Sequence, residues 1–517
     1  MSRRRTSSSS TPESRTRVPA SPSDAGASPR ASIFPAWKEL LEPAGPFLVP
    51  LLTLVLTRIA FAIMLPLASE DAYITFRYAR AFSQGHGLSF NPGEHVMGFT
   101  SAPWTLWNAI PLRTPLAPEV WSRGTLLVAD VLTLLVGGRM LLATFGRLSA
   151  WAFTFFFAAW PYFAAQAASG MENGAMLCLI VVGAALARAG SPVAGPIIGL
   201  LALWRPEGVI AAALLALGAR GRDRLVALAI AAAGYGALAW SFGTPIAQSA
   251  IAKAQLYGTP GPWAGRIWWE WLLPGPLGRW SQVAETSNLL GLLMILSPAI
   301  ALGIPALWQV RSRPIALAAL GALAVWFGYA LTGAPWFFWY FVVPLGGFAL
   351  VAAAGLPRIV KGRAIPIAAA LYVLGSWTVA RYLYVGRAQN EFYLFAAAAD
   401  VLSRNARPGE AVMLEPIGII GWRAPLRVID EVGLVSPDVL KRRLQGPGWY
   451  TDILARRNPE WLVVRRGVVS SGEAFAGAGR PFRNSAERDS TFARYALVQE
   501  LDPRSGDNAL QVRRRIR

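Results

Sequence analysis

A chain of 517 residues that is 54% hydrophobic but only 15% charged, with 21 tryptophans, is too apolar for an ordinary soluble enzyme and has the profile of a polytopic membrane protein. Its formal net charge of +20 does not point to nucleic acid, because the arginines fall in a polar tail, in short turns and near the C-terminus, without a basic stripe interleaved with aromatics. The single cysteine, Cys178, lies inside an apolar run, so no intrachain disulfide framework exists.

Residues 1–44 begin "MSRRRTSSSSTPESRTRVPASPSD" and are rich in Ser, Pro and Arg, a composition that predicts a disordered, basic, cytoplasmic tail. "LPLAS" after the first apolar run could end a signal peptide. The basic stretch before it is too long for a usual n-region, and a retained anchor is expected.

Apolar runs fall near 47–67, 120–145, 148–168, 173–190, 193–204, 207–218, 224–243, 286–307, 315–333, 337–356 and 364–385. At ~20 residues per crossing they predict about eleven transmembrane helices in a module spanning 45–388. The runs at 193–204 and 207–218 are short and are separated by "WRPEG", so tilted or half-inserted helices are expected there.

With the N-terminus in the cytosol, Arg147, Arg188, "RGRDR" (Arg220, Arg222, Arg224), Arg311 with Arg313, and Arg358, Lys361 and Arg363 all fall in inner turns, as the positive-inside rule requires. The outer turns then hold Glu70, Asp71, Glu94, Glu172, Glu207 and Lys253. This bookkeeping needs "PWTLWNAIPL" (Pro103–Leu112) to lie in the interface rather than cross.

Beyond Glu391 the pattern changes to strand-like runs, "EAVMLEPIGIIGW", "LRVIDEVGLV", "EWLVVRRG", "RYALVQEL" and "ALQVRRRI". They predict a soluble α/β domain over 389–517, on the outer side and large enough to bury its own core.

The first outer loop, 67–118, carries the densest chemistry. In "SEDAYITFRYARAFSQGHGLSFNPG" (Ser69–Gly93) the apolar residues Ile74, Tyr78 and Phe82 recur every fourth position while Arg77 and Arg80 point elsewhere, which predicts an amphipathic helix on the membrane surface. Glu70 and Asp71 stand at its N-terminus. There they read either as helix-capping acids or as a functional pair, since charge at a membrane boundary often marks a substrate path.

"SEDAYITFRYARAFSQGHGLSFNPGEHVMGFTSAPWTL" resembles the acidic-pair loop of bacterial GT-C membrane glycosyltransferases, and most of all the group containing the mycobacterial terminal arabinofuranosyltransferase. "ASGMENG", "LWRPEG", "TPIAQSAIAKAQLYG" and "IGIIGWRAPLRVIDEVGLVSP" are weaker echoes in the same order. The chain differs from that group in having Glu70 as its first carboxylate and Asn173 in the "SGMEN" turn. The resemblance implies a transferase that moves a sugar from a polyprenyl-phosphate donor to a glycan, lipid or protein acceptor outside the cytoplasm.

An inverting transfer needs a base for the acceptor hydroxyl and cations for the departing phosphate. Asp71 is the candidate base, with Glu70 orienting it or the acceptor. Arg205 and Lys253, then Arg77, are candidates for the phosphate, and Glu172, Glu207 and Tyr73 for the sugar or acceptor. Ordinary roles remain open: Glu172 and Glu207 can start helices, with Pro206 at a first helical position, and Lys253 can snorkel. The aromatics of "PWFFWYF" and "GRIWWEWLL" read as interface anchors.

His86, His95 and Glu94 are too few for a structural metal site, and no cofactor is expected. The absence of a Gly-rich phosphate loop disfavours nucleotide-sugar chemistry. A transporter or flippase of lipid-linked sugars is the alternative, although no inverted repeat supports it.

Overall fold

The computed structural model describes residues 45–257, 284–332, 337–360, 388–472 and 480–516, with isolated positions between 371 and 386. The tail at 1–44, the run "GRIWWEWLL" and most of the crossing expected at 364–385 lie outside the described residues.

Apolar helices build the bundle: α1 (Leu48–Met64), α4 (Pro118–Phe145), α5 (Arg147–Ala159), α6 (Pro161–Ala168), α7 (Asn173–Ala189), α8 (Ala194–Trp204), α9 (Gly208–Gly218), α10 (Gly221–Phe242), α12 (Ala284–Gln309), α13 (Pro314–Thr332) and α14 (Val342–Gly355). Two short helices, α2 (Glu70–Ser83) and α3 (Ala102–Ala109), occupy the first loop, and α11 (Gln248–Tyr257) follows α10. Among the described residues four helical segments are long and apolar enough to span a membrane, Gly45–Met64, Pro118–Phe145, Gly221–Phe242 and Phe338–Arg358. The pair α5–α6, bent by 51° at Pro161, makes a fifth when taken as one broken span, a break expected where proline removes a helical N–H.

The short runs behave as their lengths require. Helices α8 and α9 have 11 residues each, roughly 16 Å of rise against a hydrocarbon core of about 30 Å. They form a hairpin with Arg205 in its turn. Gly195 and Gly199, four residues apart, let α8 press on α10: a Cβ at Gly199 would lie 2.8 Å from Cβ of Ile230, the close approach that small residues permit between membrane helices. Helix α3 has only 8 residues, too few to cross, and half-exposes Leu106, Trp107 and Ile110.

The basic turns meet at one end of the bundle. Arg188 at the end of α7 donates to the carbonyl of Arg311 at 3.3 Å, and Arg358 donates to Gln309 at 3.4 Å. Glu172 stands at the other end of α7, about 24 Å of helix rise away, on the side of the first loop.

The C-terminal region folds into a five-stranded sheet in the order β2-β1-β3-β5-β4, from β1 (Ala411–Leu414), β2 (Arg427–Asp430), β3 (Trp461–Arg465), β4 (Tyr495–Leu501) and β5 (Leu510–Arg515). Strand β1 runs parallel to β2 and β3, and β5 antiparallel to β3 and β4. Helices α15 (Ala388–Asn405), α16 (Ile417–Arg423), α17 (Pro437–Arg443), α18 (Trp449–Arg457), α19 (Arg466–Ser470) and α20 (Ser485–Ala493) accompany it.

Period-two alternation sorts the sheet into two cores. Met413, Ile429, Leu462 and Val464 face one way and pack with Trp449, Tyr450 and Ile453. Val412, Leu414, Val428, Trp461 and Val463 face the other way, into a core shared with Tyr73, Phe76, Tyr78 and Phe90 of the first loop. That second core also takes Phe395, Val401 and Leu402 and Ile417, Ile419 and Ile420, so helices of the C-terminal region and the first loop share it.

The same packing corrects the picture of α2 resting on a membrane surface. Ile74 and Tyr78 are buried, but so are Tyr73 and Phe76 on other sides of the helix, and only Phe82 of the expected apolar stripe is exposed. The arginines do not face water. Arg77 donates to the carbonyls of Phe90, Gly421 and Leu426 at 2.8, 2.6 and 2.9 Å, and Arg80 to that of Trp422 at 2.9 Å. Orphan carbonyls of the C-terminal region take up the charge that periodicity alone assigned to solvent.

Candidate active site

Asp71 sits in the first turn of α2, where Ser69 is extended and leads into the helix. Its carboxylate is not used as a cap. Oδ2 lies 2.9 Å from Nζ of Lys253 on α11, with the two side chains 21% and 13% exposed. Lys253 is further held by the faces of Phe337 and Trp339, whose ring centres are 4.7 and 5.4 Å from Nζ, a cation–π arrangement that fixes the ammonium group.

Arg205 leaves α8 with an extended backbone, which turns its side chain into the bundle. Buried at 3% exposure, it bridges two carboxylates: Nη1 pairs with Oε1 of Glu172, and Nε lies 2.5 Å from Oε1 of Glu207. Glu172 also accepts from Thr100 at 3.2 Å, and Glu207 from the hydroxyl of Tyr329. The Tyr340 ring lies against the guanidinium at 5.3 Å and stacks on Tyr329. Such a set keeps buried charges compensated on every side.

The two ion clusters open onto one cavity, lined by Asp71, Lys253, Glu172 and Arg205 together with Thr75, Thr100, Ser249, Trp339, Tyr340 and Leu434. Residues of the first loop, the α6–α7 turn, the α8–α9 hairpin and α11 thus converge, 182 positions of sequence separating Asp71 from Lys253. Glu207 stands behind Arg205 rather than on the cavity wall. The C-terminal region supplies Leu434. Its turn is built by Asp430, whose carboxylate accepts the N–H groups of Val432 and Val435 at 2.8 and 3.0 Å; burial pushes that carboxyl up to about 6.

Three residues named from the sequence lie elsewhere. Glu70 turns from the cavity and accepts the backbone N–H groups of Gly418 and Ile419 at the start of α16, the second at 2.8 Å. Desolvation pushes its carboxyl up to about 8 against the pull of those two donors. Arg77 is spent on the carbonyls described above. Tyr73 is in the shared core, packed on Phe76 with its hydroxyl 3.4 Å from the Ala68 nitrogen.

Sequence reasoning passed over Thr100, Ser249 and Leu434, and read Trp339 and Tyr340 as interface anchors where they line the cavity. Ser249 had a readable signal, standing one helical turn before Lys253; Leu434 had none beyond its place in "VGLVSP". His86 and His95 are exposed, and among the described residues no group of three His, Cys, Asp or Glu side chains is arranged to hold a metal ion.

Comparison with solved structures gives the fold its class. ArnT from Cupriavidus metallidurans, in the crystal structure bound to undecaprenyl phosphate, aligns over 91% of this chain and 98% of its own, with a TM-score of 0.58 and 11% identity. Its apo form aligns over 89% and 97%, with a TM-score of 0.56 and 11% identity. The Archaeoglobus fulgidus oligosaccharyltransferase in the apo form is 13% identical, covering 82% of this chain and 70% of that one at a TM-score of 0.49. The chain shares the overall fold of ArnT. Residues 381–513 match the family model of a domain of unknown function (DUF8728), and no curated protein matches the sequence.

Proposed function

We propose that this protein is an integral membrane glycosyltransferase that moves a sugar from a polyprenyl-phosphate donor to a hydroxyl of an extracytoplasmic acceptor. The observation that carries this reading is the convergence of Asp71, Lys253, Arg205 and Glu172 on one cavity at the end of an apolar bundle. The shared fold with ArnT, crystallised with undecaprenyl phosphate, supports the donor class.

In the reaction, the acceptor oxygen attacks the anomeric carbon while Asp71 takes its proton. The bond from that carbon to the phosphate oxygen breaks, and the electron pair leaves with the phosphate. Lys253 counters the charge that accumulates there. Glu172 is placed to accept from sugar or acceptor hydroxyls, with Glu207 behind it fixing Arg205.

Positive charge at the far end of the bundle favours that end as the cytoplasmic one, which leaves the first loop and the C-terminal region outside in a plasma membrane.

The test is release of free polyprenyl phosphate by the purified full chain in detergent, offered a panel of polyprenyl-phosphate pentoses and hexoses with simple glycan acceptors. Wild type is expected to turn over at least one donor. Asp71→Asn is expected to lose on the order of 10²–10⁴ in rate, the usual worth of a positioned base. Turnover in detergent, with no sidedness to transport across, also separates transfer from flipping. No release from any donor, or undiminished release by Asp71→Asn, overturns the reading.

A further inference from the structure

Every charged group on the cavity wall has a partner, whereas the buried hydroxyl of Ser249 has none among the described residues. Ser249 is 3% exposed and lines the cavity. A buried hydroxyl without a partner is unfavourable, and native structures keep one where a ligand or an ordered water completes it. Ser249 and Lys253 are four residues apart on α11, so both side chains leave the same face of the helix.

The two cations of the cavity are not equivalent. Arg205 is committed to two buried carboxylates, and removing it from either would strand a charge. Lys253 holds a single carboxylate, that of Asp71, and its ammonium is kept in place by Phe337 and Trp339 whichever anion it faces. Asp71 is also the more exposed of the pair, at 21%.

We infer that Lys253 and Ser249 form one anion seat, which the Asp71 carboxylate occupies until a donor phosphate replaces it. The incoming phosphate takes the Lys253 ammonium and the Ser249 hydroxyl, and Asp71, released from its ion pair, becomes free to accept the proton of the acceptor hydroxyl. No covalent bond changes in the exchange; one ion pair replaces another. The base is thereby withheld until the donor is seated, and donor binding precedes acceptor activation. This rests on the assignment of a polyprenyl-phosphate donor to the cavity.

The exchange makes an unusual prediction about binding, measured with undecaprenyl phosphate as the probe and the full chain in detergent. Asp71→Asn keeps the shape of the side chain but surrenders the lysine, and is expected to bind the probe about tenfold more tightly than wild type. Ser249→Ala is expected to bind about tenfold more weakly, and Ser249→Thr, which keeps the hydroxyl, as wild type. Lys253→Met is expected to weaken binding by about a hundredfold, with no gain when Asp71→Asn is added. If Lys253→Met weakens binding while Asp71→Asn leaves it unchanged or weaker, the exchange is wrong and the donor assignment stands. If Ser249→Ala binds as wild type, Ser249 is not part of the seat. If folded wild type and Asp71→Asn both fail to bind the probe, the donor assignment itself falls, and the exchange with it.

Discussion

The carboxylate of Glu70 receives the backbone N–H of Gly418 from 348 residues further along the chain, and that of Ile419 at 2.8 Å. A residue adjacent to the candidate base is thus one of the points, beside Arg77 and Arg80, at which the C-terminal region is fastened to the first loop. In this reading Glu70 is a positioning group, and the sheet region reaches the cavity through Leu434.

The fastening should respond to pH. Burial raises the Glu70 carboxyl from 4.5 to about 8, so the docked state binds its proton more tightly than the undocked state does. A raised acid contributes most below its ordinary value and loses that contribution as pH climbs through the shifted one. Thermal stability in detergent is expected to fall between about pH 4.5 and pH 8. Glu70→Gln, permanently neutral, is expected to flatten that part of the profile, and an unchanged slope would show that other groups control it.

Gly418 tests the same contact from the other side. A Cβ there would collide with the backbone carbonyl of Glu70, which cannot swing away as a side chain does. Gly418→Ala is therefore expected to push α16 off α2 at a cost of about 1–3 kcal/mol, as for overpacked cores. Faster proteolysis of the region after residue 388, with the bundle intact, is the measurement; unaltered proteolysis would mean the joint is looser than the contact implies.

What was legible in the sequence follows from which forces are local. Apolar runs, the half-length pair at "WRPEG" and the strands after Glu391 are read from composition and period, because helix length and pleat alternation are local properties. The meeting of Asp71 with Lys253, and of Glu172 with Arg205, is not local; the distribution of basic turns puts Asp71, Glu172 and Lys253 on one side of the membrane, and the resemblance groups them with Arg205, but neither gives the pairing. Glu70 and Arg77 misled for a physical reason: an acid or arginine at a helix face looks solvent-bound or catalytic until the backbone groups that absorb it are known, and here those come from more than 340 positions away.

A second buried ion pair lies in the bundle, away from the cavity. Arg58 on α1 donates to Asp130 on α4 at 2.8 Å and to the carbonyls of Ala158 and Phe157 at 3.0 and 3.1 Å, just before the break at Pro161. It ties three helices and satisfies carbonyls that the broken ladder frees. Arg58→Met is expected to destabilise the chain by about 3–5 kcal/mol, since Asp130 is left buried and alone. Arg58→Met with Asp130→Leu is expected to recover part of that, but not all, because the Phe157 carbonyl stays unpaired while that of Ala158 keeps the Thr57 hydroxyl at 2.9 Å. Full recovery in thermal unfolding would assign the whole effect to charge.

Arg205 poses the same question inside the cavity, with a different answer expected. It offsets two carboxylates, so Arg205→Met strands both, and a loss of about 3–5 kcal/mol in stability is the minimum expected. Arg205→Lys keeps the charge but not the fork that reaches Glu172 through Nη1 and Glu207 through Nε, and a point charge serves one carboxylate at a time. Its expected signature is a stability between those of wild type and Arg205→Met, since one carboxylate loses its partner, with sugar transfer reduced by about tenfold or more because the Glu172 carboxylate facing the cavity is no longer held in register. Adding Glu207→Gln to Arg205→Lys releases the lysine to Glu172 alone and is expected to restore transfer in part. If the double variant transfers no better than Arg205→Lys, Arg205 acts directly on the substrate rather than through Glu172.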